Sequence, residues 1–135
     1  MYIKNEEAMK KWAFKFAHSL KQPAVVSLKG DLGAGKTRIV QWIGQAMGSS
    51  DRISSPTFDL IHIYKSERGP IRHLDLYRLE DQEEIEELDY EEAFFPESGF
   101  TFIEWADKAK DYLPENMIEV SIKKGQDQER EVEVR

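Results

Sequence analysis

The feature that most constrains this chain is a glycine-rich segment that lies between two apolar stretches. Residues 30–37 read GDLGAGKT and fit the pattern G-x-x-x-x-G-K-[ST] at every fixed position. An apolar run at 24–28 precedes the segment, and apolar residues recur at helical spacing over 39–47 after it. The order strand, loop and helix predicts that backbone N–H groups of residues 30–37 bind phosphate. We call these residues the phosphate loop.

Each part of the phosphate loop has a predicted role in binding a nucleoside triphosphate. Its glycines permit backbone angles that other residues avoid, so that successive N–H groups turn toward phosphate oxygens. Lys36 brings a positive charge to the β- and γ-phosphates, and the Thr37 hydroxyl is placed to bind Mg²⁺. The predicted nucleotide-binding residues here are Gly30, Asp31, Leu32, Gly33, Ala34, Gly35, Lys36, Thr37 and Arg38.

The sequence favours ATP as the nucleotide. GTPases of the Ras type usually carry an N-K-x-D element that reads guanine, and this string occurs nowhere in the chain. ATP and Mg²⁺ are therefore the expected cofactors.

Two carboxylates that end apolar runs are candidates for the chemistry beside the phosphate loop. Asp75 follows residues 71–74 and Glu104 follows Phe102 and Ile103. Because Mg²⁺ prefers oxygen ligands, one acid is expected to hold the metal while the other orients water. Placement in the sequence alone leaves the assignment open.

Thr57 is a third candidate, within the segment SSPTF at 54–58. It follows the helix after the phosphate loop, where nucleotide switches place a hydroxyl that contacts Mg²⁺ or the γ-phosphate. The same residue could equally cap a strand.

Charge and composition restrict the range of functions. The net charge is -7, and nine acids without a base lie between residues 80 and 92, so the rest of the chain carries a small positive charge. A broad basic surface for nucleic acid is not predicted, and any RNA in the function is expected to be held by a partner. The absence of cysteine excludes disulfides, thiolate zinc sites and a cysteine nucleophile.

The length and the hydrophobic pattern predict a single α/β domain over residues 1–135. No apolar run is long enough to span a membrane or resembles a signal peptide, so a cytoplasmic protein is expected. Helices are predicted at 5–20, with Asn5 as N-cap, over 39–47, within 80–94 and over 106–113. Strands are predicted at 24–28, 57–64, 71–76, 100–103, 117–122 and 129–134, of which the second and third form an antiparallel hairpin.

Taken together, the motifs closely resemble the TsaE family, the small bacterial ATPases of tRNA threonylcarbamoyladenosine biosynthesis. The resemblance is carried by GDLGAGKT, by SPTF at 55–58, by HLDLYRL at 73–79 and by Glu104-Trp105 with the later Leu113-Pro114. It implies a P-loop NTPase-like three-layer sandwich with a mixed, partly antiparallel sheet. It also implies an ATPase that acts with the TsaB and TsaD proteins, which modify an adenosine next to the tRNA anticodon, so that tRNA is met only through the complex.

The resemblance implies roles for individual residues. It implies that Lys36 binds phosphate, that Thr37 and Glu104 hold Mg²⁺, that Thr57 lies in a switch-like loop, that Asp75 serves in hydrolysis and that Trp105 belongs to the functional pair at the nucleotide. For Trp105 and for His73 the alternative is a core position. Arg38 and the pair Asp107-Lys108 depart from residues common in the family, at positions not expected to carry chemistry.

Two other functions are compatible with a phosphate loop. A small-molecule kinase would need an arginine-bearing lid and an acceptor subdomain, for which no insertion after the phosphate-loop helix is long enough. A nucleotide-sensing adaptor without essential hydrolysis would dock its acidic segment, residues 80–92, on a basic partner. A solvated helical face is the commoner reason for such a segment.

Overall fold

The computed structural model describes residues 1–51, 60–88 and 90–135. The strands in this part of the chain are β1 Tyr2–Ile3, β2 Ala24–Lys29, β3 Ile61–Tyr64, β4 Ile71–Asp75, β5 Phe100–Glu104, β6 Ile118–Lys124 and β7 Arg130–Val134. They form one sheet in the order β1-β7-β6-β2-β5-β4-β3. Strands β6, β2, β5 and β4 are parallel, whereas β1, β7 and β3 pair antiparallel to their neighbours. The predicted α/β class with a mixed sheet is confirmed.

Helices of two kinds connect the strands. The α-helices are α1 Glu6–Ser19, α2 Lys36–Ala46 and α3 Tyr90–Phe94, and two 3₁₀ helices span Gln82–Glu87 and Ala106–Tyr112. The predicted N-cap of α1 is confirmed, because the Asn5 side chain accepts the N–H of Ala8 at 2.9 Å. The helix predicted over 106–113 is present as a 3₁₀ helix, with a kink at Ala109.

The central strand β2 is buried on both faces, as its apolar run predicts. Alternation along β2 directs Val26 and Leu28 into a core with α1 and α2, while Val25 enters the core of the other face. We call these the α1/α2 face and the opposite face. The opposite face is covered by α3 and both 3₁₀ helices.

The predicted hairpin is present as β3 and β4, with Ile61 opposite Leu74. Residues 57–59, the start of the predicted strand, lie outside the described residues. Strand β1 was not predicted, because a pair of residues is too short to show alternation. No helix among the described residues is long and apolar enough to cross a membrane.

The register of the parallel strands brings the candidate acids to one edge of the sheet. Glu104 at the end of β5 lies opposite Leu28 on β2 and opposite Asp75 on β4. Since β2 leads directly into the phosphate loop, the carboxyl ends of these strands and the start of α2 meet at the same place.

Candidate functional site

The phosphate loop connects the end of β2 to the start of α2, and its glycines are required for two reasons. Gly33 and Gly35 have positive φ angles of 80° and 102°, which residues with a Cβ rarely adopt. At Gly30 the constraint is space, because a Cβ there would lie 2.7 Å from the carbonyl oxygen of Ile122 on β6. A Cβ on Gly35 would meet no atom of the described residues within 4 Å.

Lys36, the first residue of α2, is held inside the loop. Its side chain is 5% exposed, and its Nζ donates to the carbonyl oxygen of Gly30 at 2.6 Å. The same ammonium lies 3.9 Å from the centroid of the Trp105 ring, a cation–π distance. Burial lowers the pKa of Lys36, and nearby carboxylates, that of Glu104 foremost, act in the opposite direction. A cation is thus present where the sequence predicts phosphate.

Thr37 and Glu104 are in direct contact. The Thr37 hydroxyl donates to Oε2 of Glu104 at 2.9 Å, although the residues are separated by 67 positions in the chain. Glu104 is buried, and its Oε2 also lies 2.6 Å from Nε2 of His73 on β4. This contact joins Glu104 to the residue predicted to bind Mg²⁺, while the roles of the two acids stay predictions.

Asp75 lies beside Glu104 and is held differently. It is the register partner of Glu104 on the neighbouring strand and is half-buried. Its Oδ1 accepts the backbone N–H of Tyr77 at 3.0 Å, which fixes the orientation of the carboxylate. In the described part of the chain, Asp75 has no hydrogen bond to Thr37 or to the phosphate loop.

Trp105 adopts an unusual backbone conformation at the end of β5. Its φ of 60° and ψ of 42° lie in the left-handed region, which costs a bulky residue about 1 kcal/mol or more. The half-buried ring packs on the core of the opposite face and against Tyr77, with centroids 5.1 Å apart. Trp105 therefore packs on that core and also contacts Lys36, while its implied role at the nucleotide stays a prediction.

Comparison with known proteins identifies the family. A model described as "Threonylcarbamoyl adenosine biosynthesis protein TsaE" matches residues 3–132. The chain belongs to the TsaE family. The tRNA threonylcarbamoyladenosine biosynthesis protein TsaE of Rickettsia bellii (strain RML369-C) is 43% identical over 129 residues, which is 95% of this chain and 88% of the relative. The protein of the same description from Bacillus subtilis (strain 168) is 37% identical over 128 residues, 95% of this chain and 79% of the relative.

A solved structure supports the same fold. The crystal structure of Bacillus subtilis YdiB is similar to this TsaE family member with a TM-score of 0.76 at 31% sequence identity. The match covers 98% of this chain and 80% of that chain. The arrangement of the mixed sheet and its helices is therefore shared with a solved protein, consistent with the predicted P-loop-like fold.

Beside the phosphate loop of this TsaE family member lies a cavity of about 390 Å³ that sequence reasoning missed. Its walls come from α1, the start of α2 and the connection between β6 and β7, and include Met9, Trp42 and Gln128. The Arg38 guanidinium lies 5.2 Å from the Trp42 ring centroid and 3.3 Å from the Glu6 carboxylate. Of the residues that line the cavity, Ala34, Gly35 and Arg38 were predicted to bind nucleotide. The others were not, because segments so far apart in the sequence share no local pattern.

Two further cations of the β6–β7 region approach the phosphate loop. Nε of Arg130 donates to the carbonyl oxygen of Ala34 at 3.1 Å. Lys124, at the end of β6, places its Nζ 2.9 Å from the point where a Cβ on Gly33 would lie. The loop is thus held from the C-terminal hairpin, and this support also has no signature in the sequence.

The remaining predicted residues lie at the rim or outside the described part. Asp31 and Leu32 are exposed at the tip of the loop, Leu32 by 60%. Thr57 lies outside the described residues, so its predicted role stays a prediction. A larger cavity of about 690 Å³, lined by Phe16, Leu20 and other residues, lies at the opposite end of β2 and includes no predicted site residue.

Proposed function

We propose that this TsaE family member is a Mg²⁺-dependent ATPase of tRNA threonylcarbamoyladenosine biosynthesis that acts with the TsaB and TsaD proteins. One observation carries the proposal: the Thr37 hydroxyl bonds the Glu104 carboxylate at the end of a phosphate loop that already holds the Lys36 ammonium. The family supplies the pathway. The geometry supports the proposed nucleotide chemistry.

The residues present fit a magnesium ion. Thr37 and Glu104 offer hydroxyl and carboxylate oxygens, which are the ligands that Mg²⁺ prefers. The described residues contain no group of three or more His, Asp or Glu side chains that could hold a metal by themselves. These two residues would therefore hold Mg²⁺ together with nucleotide phosphates, and the bound ion would neutralise charge on the β- and γ-phosphates.

Asp75 is proposed to act on water during hydrolysis. Its Oδ1 accepts the Tyr77 N–H, and Asp75 lies opposite Glu104 at the edge of the sheet where β4 and β5 end. In the proposed step the water oxygen bonds to the γ-phosphorus while the bond to the bridging oxygen breaks, which yields ADP and inorganic phosphate. Asp75 orients this water and accepts its proton, and Lys36 holds the phosphates.

The cavity beside the loop is proposed to hold the nucleoside. It adjoins Gly35, and Met9 and Trp42 provide apolar surface for a base while Arg38 and Glu6 provide polar groups at its edge. ATP is proposed as the nucleotide because the sequence lacks the guanine-reading element.

Thermodynamic linkage between ATP binding and docking explains how the nucleotide would control binding to a partner. A partner that contacts surfaces ordered by the γ-phosphate binds the triphosphate state more tightly, and it raises the affinity for ATP by the same factor. The surface proposed for docking surrounds the end of β5 at Glu104 and Trp105, and tRNA would be met through the complex.

Docking in defined nucleotide states tests the proposed function. Calorimetry would measure binding of the chain to a purified TsaB–TsaD complex with ADP, with a non-hydrolysable ATP analogue and without nucleotide. The proposal expects the tightest docking with the analogue, and slow acceptor-independent phosphate release by the isolated chain. Equal affinity in all three states would remove the nucleotide switch. Phosphate transfer to a hydroxyl acceptor in place of water would favour a kinase.

A further inference from the structure

His73 is a polar residue at an apolar position. It is 0% exposed in the middle of β4, between the buried Arg72 and Leu74, and lies opposite Phe102 on β5. Burying an imidazole without a hydrogen bond costs free energy that an aliphatic side chain would not incur. A histidine at this buried position is therefore expected to be stabilised by a hydrogen bond of its ring.

The hydrogen bond of His73 points to a single residue. Its Nε2 lies 2.6 Å from Oε2 of Glu104. Its Nδ1 is buried and has no hydrogen-bond partner among the described residues. Because a carboxylate oxygen accepts, the ring hydrogen that makes this bond is on Nε2. Among the described residues, the only polar partner of the ring is Glu104.

The same carboxylate oxygen receives a second donor. The Thr37 hydroxyl bonds Oε2 from the side of α2, while His73 bonds it from β4. The other oxygen, Oε1, takes part in no hydrogen bond within the described part of the chain. Two donors on one oxygen fix the rotation of the carboxylate and leave Oε1 available.

We propose that His73 is the positioning residue of the metal site: its Nε2–H holds the Glu104 carboxylate against Thr37, with Oε1 left to serve a Mg²⁺ ion. This inference rests on the proposed function, since it concerns the same site. Hydrogen-bond partners that orient a metal-ligating side chain typically contribute about 10- to 100-fold to metal affinity or activity. In this role His73 acts through Glu104 and is not itself a ligand of the metal.

Two substitutions separate the effect of losing the His73 hydrogen bond from the effect of losing the packing of its ring. His73→Phe keeps an aromatic ring and removes the donor, whereas His73→Gln keeps an N–H at a similar distance from the backbone. Thr101→Val is the matched control on β5, because it removes the buried hydrogen bond from the Thr101 hydroxyl to the Ala93 carbonyl oxygen and keeps the size of the side chain. All three proteins would first be compared with the wild type for thermal unfolding.

The measurement is the affinity of the protein–ADP complex for Mn²⁺, followed by electron paramagnetic resonance. We expect His73→Phe to weaken Mn²⁺ binding by about tenfold with metal-free ADP affinity unchanged, and His73→Gln to recover most of the loss. Thr101→Val should lower stability without changing Mn²⁺ affinity. Mn²⁺ affinity of a folded His73→Phe protein within twofold of the wild type would overturn the proposal.

A second measurement on the wild type decides the matter if His73→Phe does not fold. Nitrogen-15 NMR of the three histidines, assigned with His18→Gln and His62→Gln, should show His73 with its hydrogen on Nε2. Hydrogen on Nδ1 alone would overturn the proposed contact. Failure of the proposed function has a different signature, since the wild type itself would then bind neither ADP nor Mn²⁺ in its presence.

Discussion

The two faces of the sheet are covered in different ways. The α1/α2 face is packed by helices of 14 and 11 residues, whereas the helices described on the opposite face have six, five and seven residues. Alternation along β4 and β5 directs His73 and Glu104 to the α1/α2 face, where α2 brings Lys36 and Thr37. The described part of the acidic segment, residues 80–88 and 90–92, lies on the opposite face.

The difference concerns how each face is held in place. Long amphipathic helices bury apolar side chains on the α1/α2 face, so the start of α2 is fixed by a packed core. The 3₁₀ helices of the opposite face also pack on a core, but exposed polar contacts join them to each other. The Tyr112 hydroxyl donates to Glu86 at 2.7 Å, and Gln82 bonds Asp111. We therefore expect the chemistry to depend on the first face and to tolerate change on the second.

Lys36→Ala should have the largest effect, because it removes the cation that the loop holds for the phosphates. We expect ATP affinity to fall by about 100-fold or more, measured by calorimetry on a folded protein. Lys110→Ala removes an exposed lysine on the opposite face and should leave ATP affinity unchanged. A comparable loss of ATP affinity in both variants would contradict the expected difference between the two faces.

Asp75→Asn and Glu104→Gln should separate binding from hydrolysis. Each variant keeps its size and loses the charge that orients water or holds the metal. We expect ATP to remain bound while phosphate release falls by about 100-fold. Glu84→Gln, on the acidic segment, is the control and should hydrolyse ATP at the wild-type rate. Wild-type turnover in both site variants would show that neither carboxylate has its proposed role.

Replacing Glu86 by alanine should have the smallest effect on the protein, a local change in the pKa of Tyr112. The hydrogen bond to Glu86 raises the pKa of Tyr112 from about 10 to about 12. Because the raised pKa belongs to the folded state, the stability gained from this contact is complete below about pH 10 and is lost as the pH rises toward 12. In Glu86→Ala the Tyr112 pKa should return toward its ordinary value, measured by ultraviolet absorbance, with ATP affinity unchanged. A Tyr112 pKa that stays near 12 in Glu86→Ala would contradict the hydrogen bond to Glu86 as the cause of the raised pKa.

Sequence patterns correctly predicted those elements whose structure depends on neighbouring residues. The phosphate loop, the Asn5 cap and the hairpin of β3 and β4 depend on residues that are close in the sequence. The resemblance correctly indicated the family and the mixed sheet. The roles expected for the individual site residues, Asp75 and Thr57 among them, stay predictions.

Contacts between distant segments could not be predicted in this way. The bond from Arg130 to the Ala34 carbonyl joins residues 96 positions apart, and the shared oxygen of Glu104 joins β4, β5 and α2. Each depends on strand order and register, which hydrophobic periodicity does not specify. The same dependence on register explains why placement in the sequence alone left the roles of Asp75 and Glu104 open.

The central claim is that the edge of the α1/α2 face binds ATP together with Mg²⁺. Calorimetric titration of the wild-type chain with ATP, once with Mg²⁺ and once with a chelator, tests it most directly. We predict saturable binding of one ATP per chain that is tighter with Mg²⁺, because Thr37 and Glu104 are placed to hold the ion beside the phosphates. Absence of saturable binding, or equal affinity with and without Mg²⁺, would contradict the proposed site.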